Sequence, residues 1–153
     1  MKRYLIIIIV SIVTVFMASA KKIAMFSDFG SKTGVVYTYV SPSMLMSMGD
    51  RQIQTRSIKI SAKDLTSLET VRTTTKMAED LMTRVKEVVN KEKLETLATT
   101  RTKTGSTISV FGKTVKKGKQ VEKLIMVEQS SQGVINVTYL TGRISFMFND
   151  LNF

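Results

Sequence analysis

Cysteine, histidine and tryptophan are absent from this chain of 153 residues, and proline occurs once. Without cysteine there is no disulfide, no thiol nucleophile and no lipid-modified cysteine of a lipoprotein. Without histidine there is no imidazole base and no His-containing triad, and the double absence excludes a Cys/His zinc site. Acidic residues are also scarce: 12 Asp+Glu against 23 Lys+Arg give a formal charge of +11. A 43% hydrophobic and 23% charged composition excludes a disordered chain, a collagen and a multi-span membrane protein. The length is that of one domain.

The N-terminus has the pattern of a secretory signal. Lys2 and Arg3 form a basic start, residues 4–17 are almost wholly apolar, and Ala18-Ser19-Ala20 presents small residues, placing the cut before Lys21. The apolar run is shorter than the roughly 20 residues of a spanning helix, so no stable membrane span is expected after cleavage. Loss of Lys2 and Arg3 leaves a charge of +9. The expected organisation is a signal peptide over 1–20, a partly mobile leader over 21–33, and a single domain over 34–153. Residues 25–29 of the leader have the character of a short helical turn.

Residues 35–40 are β-branched and aromatic and read as a buried strand. Ser41-Pro42 opens a short helix, with Ser41 as N-cap and Pro42 at the first position, closed by Gly49. Residues 50–63 read as a connector with a short strand at 58–60. The segment 66–93 carries two signals. Its 3-4 apolar spacing and Thr66-x-x-Glu69 suit a helix, whereas the β-branched crowd from Thr70 to Thr75 suits a strand. A strand over 67–74 followed by a helix over 76–92 reconciles them. Met77, Leu81, Val85, Val88 and Val89 form the apolar stripe, and Asp80/Arg84 and Glu87/Lys91 are i,i+4 pairs. Strands over 94–103, 107–111, 121–128 and 134–144 follow, separated by turns at 104–106, 116–119 and 130–133, with an aromatic tail after 144. The fold class is α+β: a two-layer, antiparallel-rich sheet ending in a four-strand meander, with one main and one short helix packed on it, both on one face.

The order of these segments resembles a known family. The run from Gly34 to Gly49 (GVVYTYVSPSMLMSMG), Leu94-Glu95-Thr96-Leu97, Phe111-Gly112-Lys113, the apolar strand at 124–127 and Tyr139-Leu-Thr-Gly-Arg-Ile144 are similar to motifs of domain-of-unknown-function family 4252. The resemblance implies a small exported protein of Bacteroidetes-type bacteria, with no established activity and no catalytic residues to carry over. It also supports strand at 67–74. Family members often lie near extracytoplasmic sigma-factor genes, which implies a connection to envelope signalling. The chain departs from the family after its last strand, which leads into Ser145-Phe-Met-Phe-Asn149 with Asp150 as the one acid.

Chemistry-bearing patterns are few. Gly112-Lys113-Thr114 looks like the end of a phosphate loop, but Thr107 stands where the motif needs its first glycine. Ser57/Lys59 and Ser61/Lys63 pairs lie in the polar connector. Met44, Met46 and Met48 offer thioethers, which suit Cu(I), core packing or an adaptable contact surface; on a helix Met44 and Met48 share a face. Lys113, Lys116, Lys117, Lys119 and Lys123 cluster around one turn, a basic patch for anionic partners. These lysines, with Met44 and Met48, are the candidate binding residues. No catalytic residue, metal site or cofactor is expected. The leading expectation is an exported, non-enzymatic domain, periplasmic or secreted, that binds a protein or an envelope component. An electrostatic binder of anionic envelope polymers or lipids is the first alternative and a carboxylate-based hydrolase the second. Aromatics are few and no nucleic-acid module is recognisable, so nucleic acid is not an expected partner.

Overall fold

A computed structural model describes residues 24–54, 59–115 and 120–144. Among the described residues there are eight strands and two α-helices: β1 (Val35–Val40), α1 (Pro42–Met48), β2 (Gln52–Gln54), β3 (Lys59–Ser61), β4 (Leu65–Thr73), α2 (Ala78–Glu92), β5 (Glu95–Arg101), β6 (Thr107–Val115), β7 (Gln120–Gln129) and β8 (Ile135–Ile144). Six of the strands form one antiparallel sheet in the order β1-β4-β8-β7-β6-β5, and β2-β3 make a separate hairpin. The α+β class and the meander β5-β6-β7-β8 are as the sequence led us to expect. Glycines with positive φ turn two of its corners, Gly105 at 83° and Gly133 at 80°.

Both faces of this sheet are covered. Along β7, Leu124 and Met126 enter one core cluster while Ile125 and Val127 enter another. That is the two-residue alternation of a strand buried on both sides. The first cluster contains Leu45 of α1, Ile60 of β3 and Ala62; the second contains Leu81, Val85 and Val88 of α2. The two helices therefore lie on opposite faces of the sheet. Fully burying a Leu or Val side chain contributes roughly 2 kcal/mol, so each helix is held by its few inward residues.

Local chemistry sets the helix ends. Ser41 accepts a hydrogen bond at its Oγ from the Met44 N–H at 3.3 Å, Pro42 opens α1, and Gly49 closes it at φ 58°. Replacing Ser41 with alanine should lower stability by about 1 kcal/mol, read as a shift of the urea midpoint at unchanged slope. In α2, Leu81, Val85 and Val88 are buried, as the stripe predicts, while Met77 belongs to a 3-10 turn that precedes the helix.

In the described part of the segment expected as a partly mobile leader, a 3-10 turn, Ser27–Ser31, lies on the α2 side, and Phe26 and Phe29 are buried there. Three expectations are corrected. The strand over 35–40 is an edge of the sheet, not a buried strand, with Val36 65% exposed. Arg84 does not pair with Asp80. It donates to Asp28 at 2.5 Å and to Glu87 at 3.2 Å, and Asp80 stands 4.0 Å from Lys32. Finally, the two helices do not share one face. No helix of the described residues is long and apolar enough to cross a membrane. Ala18, Ala20 and Lys21 of the expected cleavage site lie outside the described residues, as does the aromatic tail.

Candidate functional site

The most unusual side chain in the core is Glu69. It sits in β4 with Leu68 turned to one face and Val71 to the other, and it shares the α2-side face with Val71. The residue is 1% exposed. Its Oε1 accepts from the Met25 N–H at 2.7 Å. Its Oε2 accepts from the Phe26 N–H at 3.0 Å and from the Tyr37 hydroxyl at 3.2 Å. Tyr39 and Tyr139 flank it across the neighbouring strands, and Phe26 meets Tyr139 edge to face at 6.2 Å. Burial raises the Glu69 carboxyl above its ordinary value, outweighing the three hydrogen bonds that favour the anion. The Tyr37 and Tyr139 hydroxyls are raised well above their usual range, chiefly by burial and then by nearby carboxylates. Glu69 thus spends its acceptors on holding residues 25 and 26 and the first strand. The sequence carried a signal for it: once 67–74 is a strand, a lone carboxylate falls on the same face as Val71.

The sites named from sequence are dispersed. Met44 is 56% exposed and Met46 78% exposed, whereas Met48 is half-buried against the first core cluster. The i,i+4 pair Met44 and Met48 is therefore divided between solvent and core. Lys113 and Lys123 face each other across β6 and β7. Lys113 is exposed, but Lys123 is tied to Glu92 at the end of α2, and both of those side chains are largely buried. Lys123 is thus committed to a structural ion pair, which also relieves the like-charge repulsion with Lys113. Lys116, Lys117 and Lys119 lie outside the described residues. Gly112-Lys113-Thr114 runs inside β6, not between a strand and a helix, and so lacks the setting of a phosphate loop.

Another feature was legible in the sequence only through Met44. The large hydrophobic side chains exposed among the described residues are Val36, Met44 and Met46, and all three fall within β1 and α1. Val36, Thr38 and Val40 point to one face of β1, and Val40 packs on the cluster that holds α1. Val36 thus faces the side of the sheet that carries α1, while Met44 and Met46 flank the inward Leu45 of that helix on opposite sides. A strand read as uniformly apolar gives no local clue that Val36 and Thr38 stay exposed on one face and that, among the described residues, no strand pairs with its outer edge. This margin offers adhesive chemistry: soft thioethers, an exposed isopropyl group and the backbone of an edge strand.

A cleft of about 750 Å³ opens between residues 24–31 and α2. Its charged lining includes Asp28, Arg84, Glu87 and Lys91. Arg84 is already engaged by Asp28 and Glu87, which strengthens its hold on a proton and leaves it poorly placed to capture an anion.

No curated protein and no solved structure matches the chain. A family model does: the one described as domain of unknown function (DUF4252) matches residues 29–151, which takes in every strand and both helices, and the chain belongs to that family.

Proposed function

We propose that this chain is an exported, non-enzymatic interaction domain that binds a protein or other component of the cell envelope, with the margin formed by β1 and α1 as its contact surface. The carrying observation is that the exposed large hydrophobic side chains of the described residues, Val36, Met44 and Met46, all fall within β1 and α1. Unbranched thioethers adapt to differently shaped partners, and Ser41, Pro42 and Leu45 hold the helix that bears them on the sheet. The basic, apolar, small-residue pattern of residues 1–20 supports export. A role in envelope signalling is part of this reading.

The test is affinity capture from envelope extract with a high-salt wash, using wild type and a Met44→Ser/Met46→Ser double variant. Both methionines are exposed, so the variant should keep its melting temperature and lose the salt-resistant partner. Retention of that partner by the double variant would refute the assignment of this margin.

A second reading rests on Lys113, which is exposed and makes no ion pair among the described residues. With Lys116, Lys117 and Lys119 it would attract anionic envelope polymers or lipids. In that case Gln at all four positions should abolish association, and salt should release the wild type.

A further inference from the structure

Edge strands expose unpaired backbone groups, and stable proteins usually guard them with charge, proline or a bulge. The two edges of this sheet differ in that respect. β5 is guarded: its pairing with β6 is broken by a bulge between Thr96 and Ala98, and it begins at Glu95 and ends at Arg101. β1 is not. It is Val-Val-Tyr-Thr-Tyr-Val, with unbroken register from Val35 opposite Thr73 to Val40 opposite Leu68, and it has no charge, proline or bulge. Among the described residues its one sheet neighbour is β4. The 3-10 turn that precedes it packs on the Tyr37 face, where Gly30 lies against the Tyr37 ring, and among the described residues no strand pairs with its outer edge. Every second residue of β1 therefore points its N–H and C=O outward.

The charge beside this edge selects among occupants. Arg72 lies directly across from Val36 in the register, on the same face, and is exposed. It has no ion pair among the described residues, and Lys76 is exposed just beyond the end of β4. The chain as a whole carries +11. A second copy would bring the same positive charge to the edge. A strand added next to β1 would lie about 10 Å from the β4 backbone, two strand spacings away. An extended arginine reaching over Val36 can meet a carboxylate at that distance.

We infer that the open edge of β1 accepts an extended, acidic and apolar segment of a partner protein, which adds to the sheet as a seventh strand. The inference rests on the protein-binding reading above and names the chemistry of the partner. Backbone pairing would supply affinity, and alternating side chains would supply selectivity. Residues facing the α1 side would be acidic, to meet Arg72, and those on the other face apolar.

The experiment uses the purified protein and a fluorescent decapeptide of alternating glutamate and valine, with binding read by anisotropy. Two further probes are the same peptide N-methylated at alternate residues and a lysine–valine counterpart. Saturable binding of the first peptide is expected, with slowed hydrogen exchange at residues 35–40. N-methylation removes donors but keeps the charge and should weaken binding at least about tenfold. Arg72→Gln and Val36→Glu should each weaken it about threefold or more, and neither exposed position should alter the melting temperature. Equal binding of the N-methylated peptide, equal binding of the lysine–valine peptide, or no saturable binding up to about 1 mM would each overturn the inference. So would a dimer in which residues 35–40 are protected without peptide. A partner lost with Met44→Ser/Met46→Ser but indifferent to Arg72→Gln and Val36→Glu would retain the interaction domain and reject the added strand.

Discussion

Gly142→Ala should be the most damaging single-methyl addition to this protein. A Cβ at position 142 would stand 2.2 Å from the Asp64 carbonyl oxygen and 2.7 Å from Leu65 Cα. Both are backbone atoms, so no side-chain rotation relieves the collision. The φ of 144° is also unfavourable for any residue with a Cβ. The close approach arises where β4 bulges, between Leu65 and Ser67, against β8, and where β8 also shifts register with β7. Overpacking costs about 1–3 kcal/mol and a strained backbone position a similar amount. A loss of about 4 kcal/mol is expected, a large part of the stability of a single domain. In a thermal melt this corresponds to a fall of roughly 10 °C or more. A fall of only about 2 °C would show that β4 and β8 can separate here at little cost.

Glu69→Ala should produce the second largest loss, and one with a regional signature. It strands the Met25 and Phe26 amides, which now donate to the carboxylate at 2.7 and 3.0 Å. A buried donor left without a partner costs about 1–3 kcal/mol, so about 3 kcal/mol is expected in total. Residues 24–31 should lose hydrogen-exchange protection and become cleavable before the meander does, because Phe26 and Phe29 are seated beneath the bonds that are lost. Uniform loss across all strands would instead make Glu69 a general core residue.

The same group sets a pH dependence. Because burial raises the Glu69 carboxyl in the folded state above its ordinary 4.5, the folded protein holds that proton more tightly than the unfolded chain does. Its stabilising contribution is full below the unfolded value and declines as pH rises through the folded one. Glu69→Gln removes this titration. The stability of wild type relative to Glu69→Gln should therefore fall as pH rises from about 4 towards neutrality. A rise would mean that the three hydrogen bonds, and not burial, control the carboxyl.

The elements legible from the chain are those written in consecutive residues. Ser41-Pro42 and Gly49 bracket α1 because a cap, a preset φ and a positive φ are properties of single positions. The meander could be read from its turn glycines and its β-branched runs. The strand at 65–73 followed by the helix at 78–92 was resolved correctly because β-branching at 70–75 outweighed the 3-4 spacing. The tests for the family lay in the same local runs, and the match over 29–151 covers them.

What the chain alone left open was decided by pairing between distant residues. Val35 to Val40 have the composition of a central strand, yet β4 covers only one of their edges, and strand order is set by which hydrogen-bonding partners remain once β8 takes the other side of β4. Arg84 had Asp80 one turn away but turned to Asp28, 56 positions earlier, because docking the 3-10 turn on α2 brings the two charges together. Lys123 looked like a free surface cation until the end of α2 placed Glu92 above it. Glu69 looked like half of a capping box until Met25 and Phe26 folded over it and each delivered a backbone amide. In each case propensity and periodicity, which act over a few residues, determined the element. Burial and charge pairing, which act through space, determined what its side chains do.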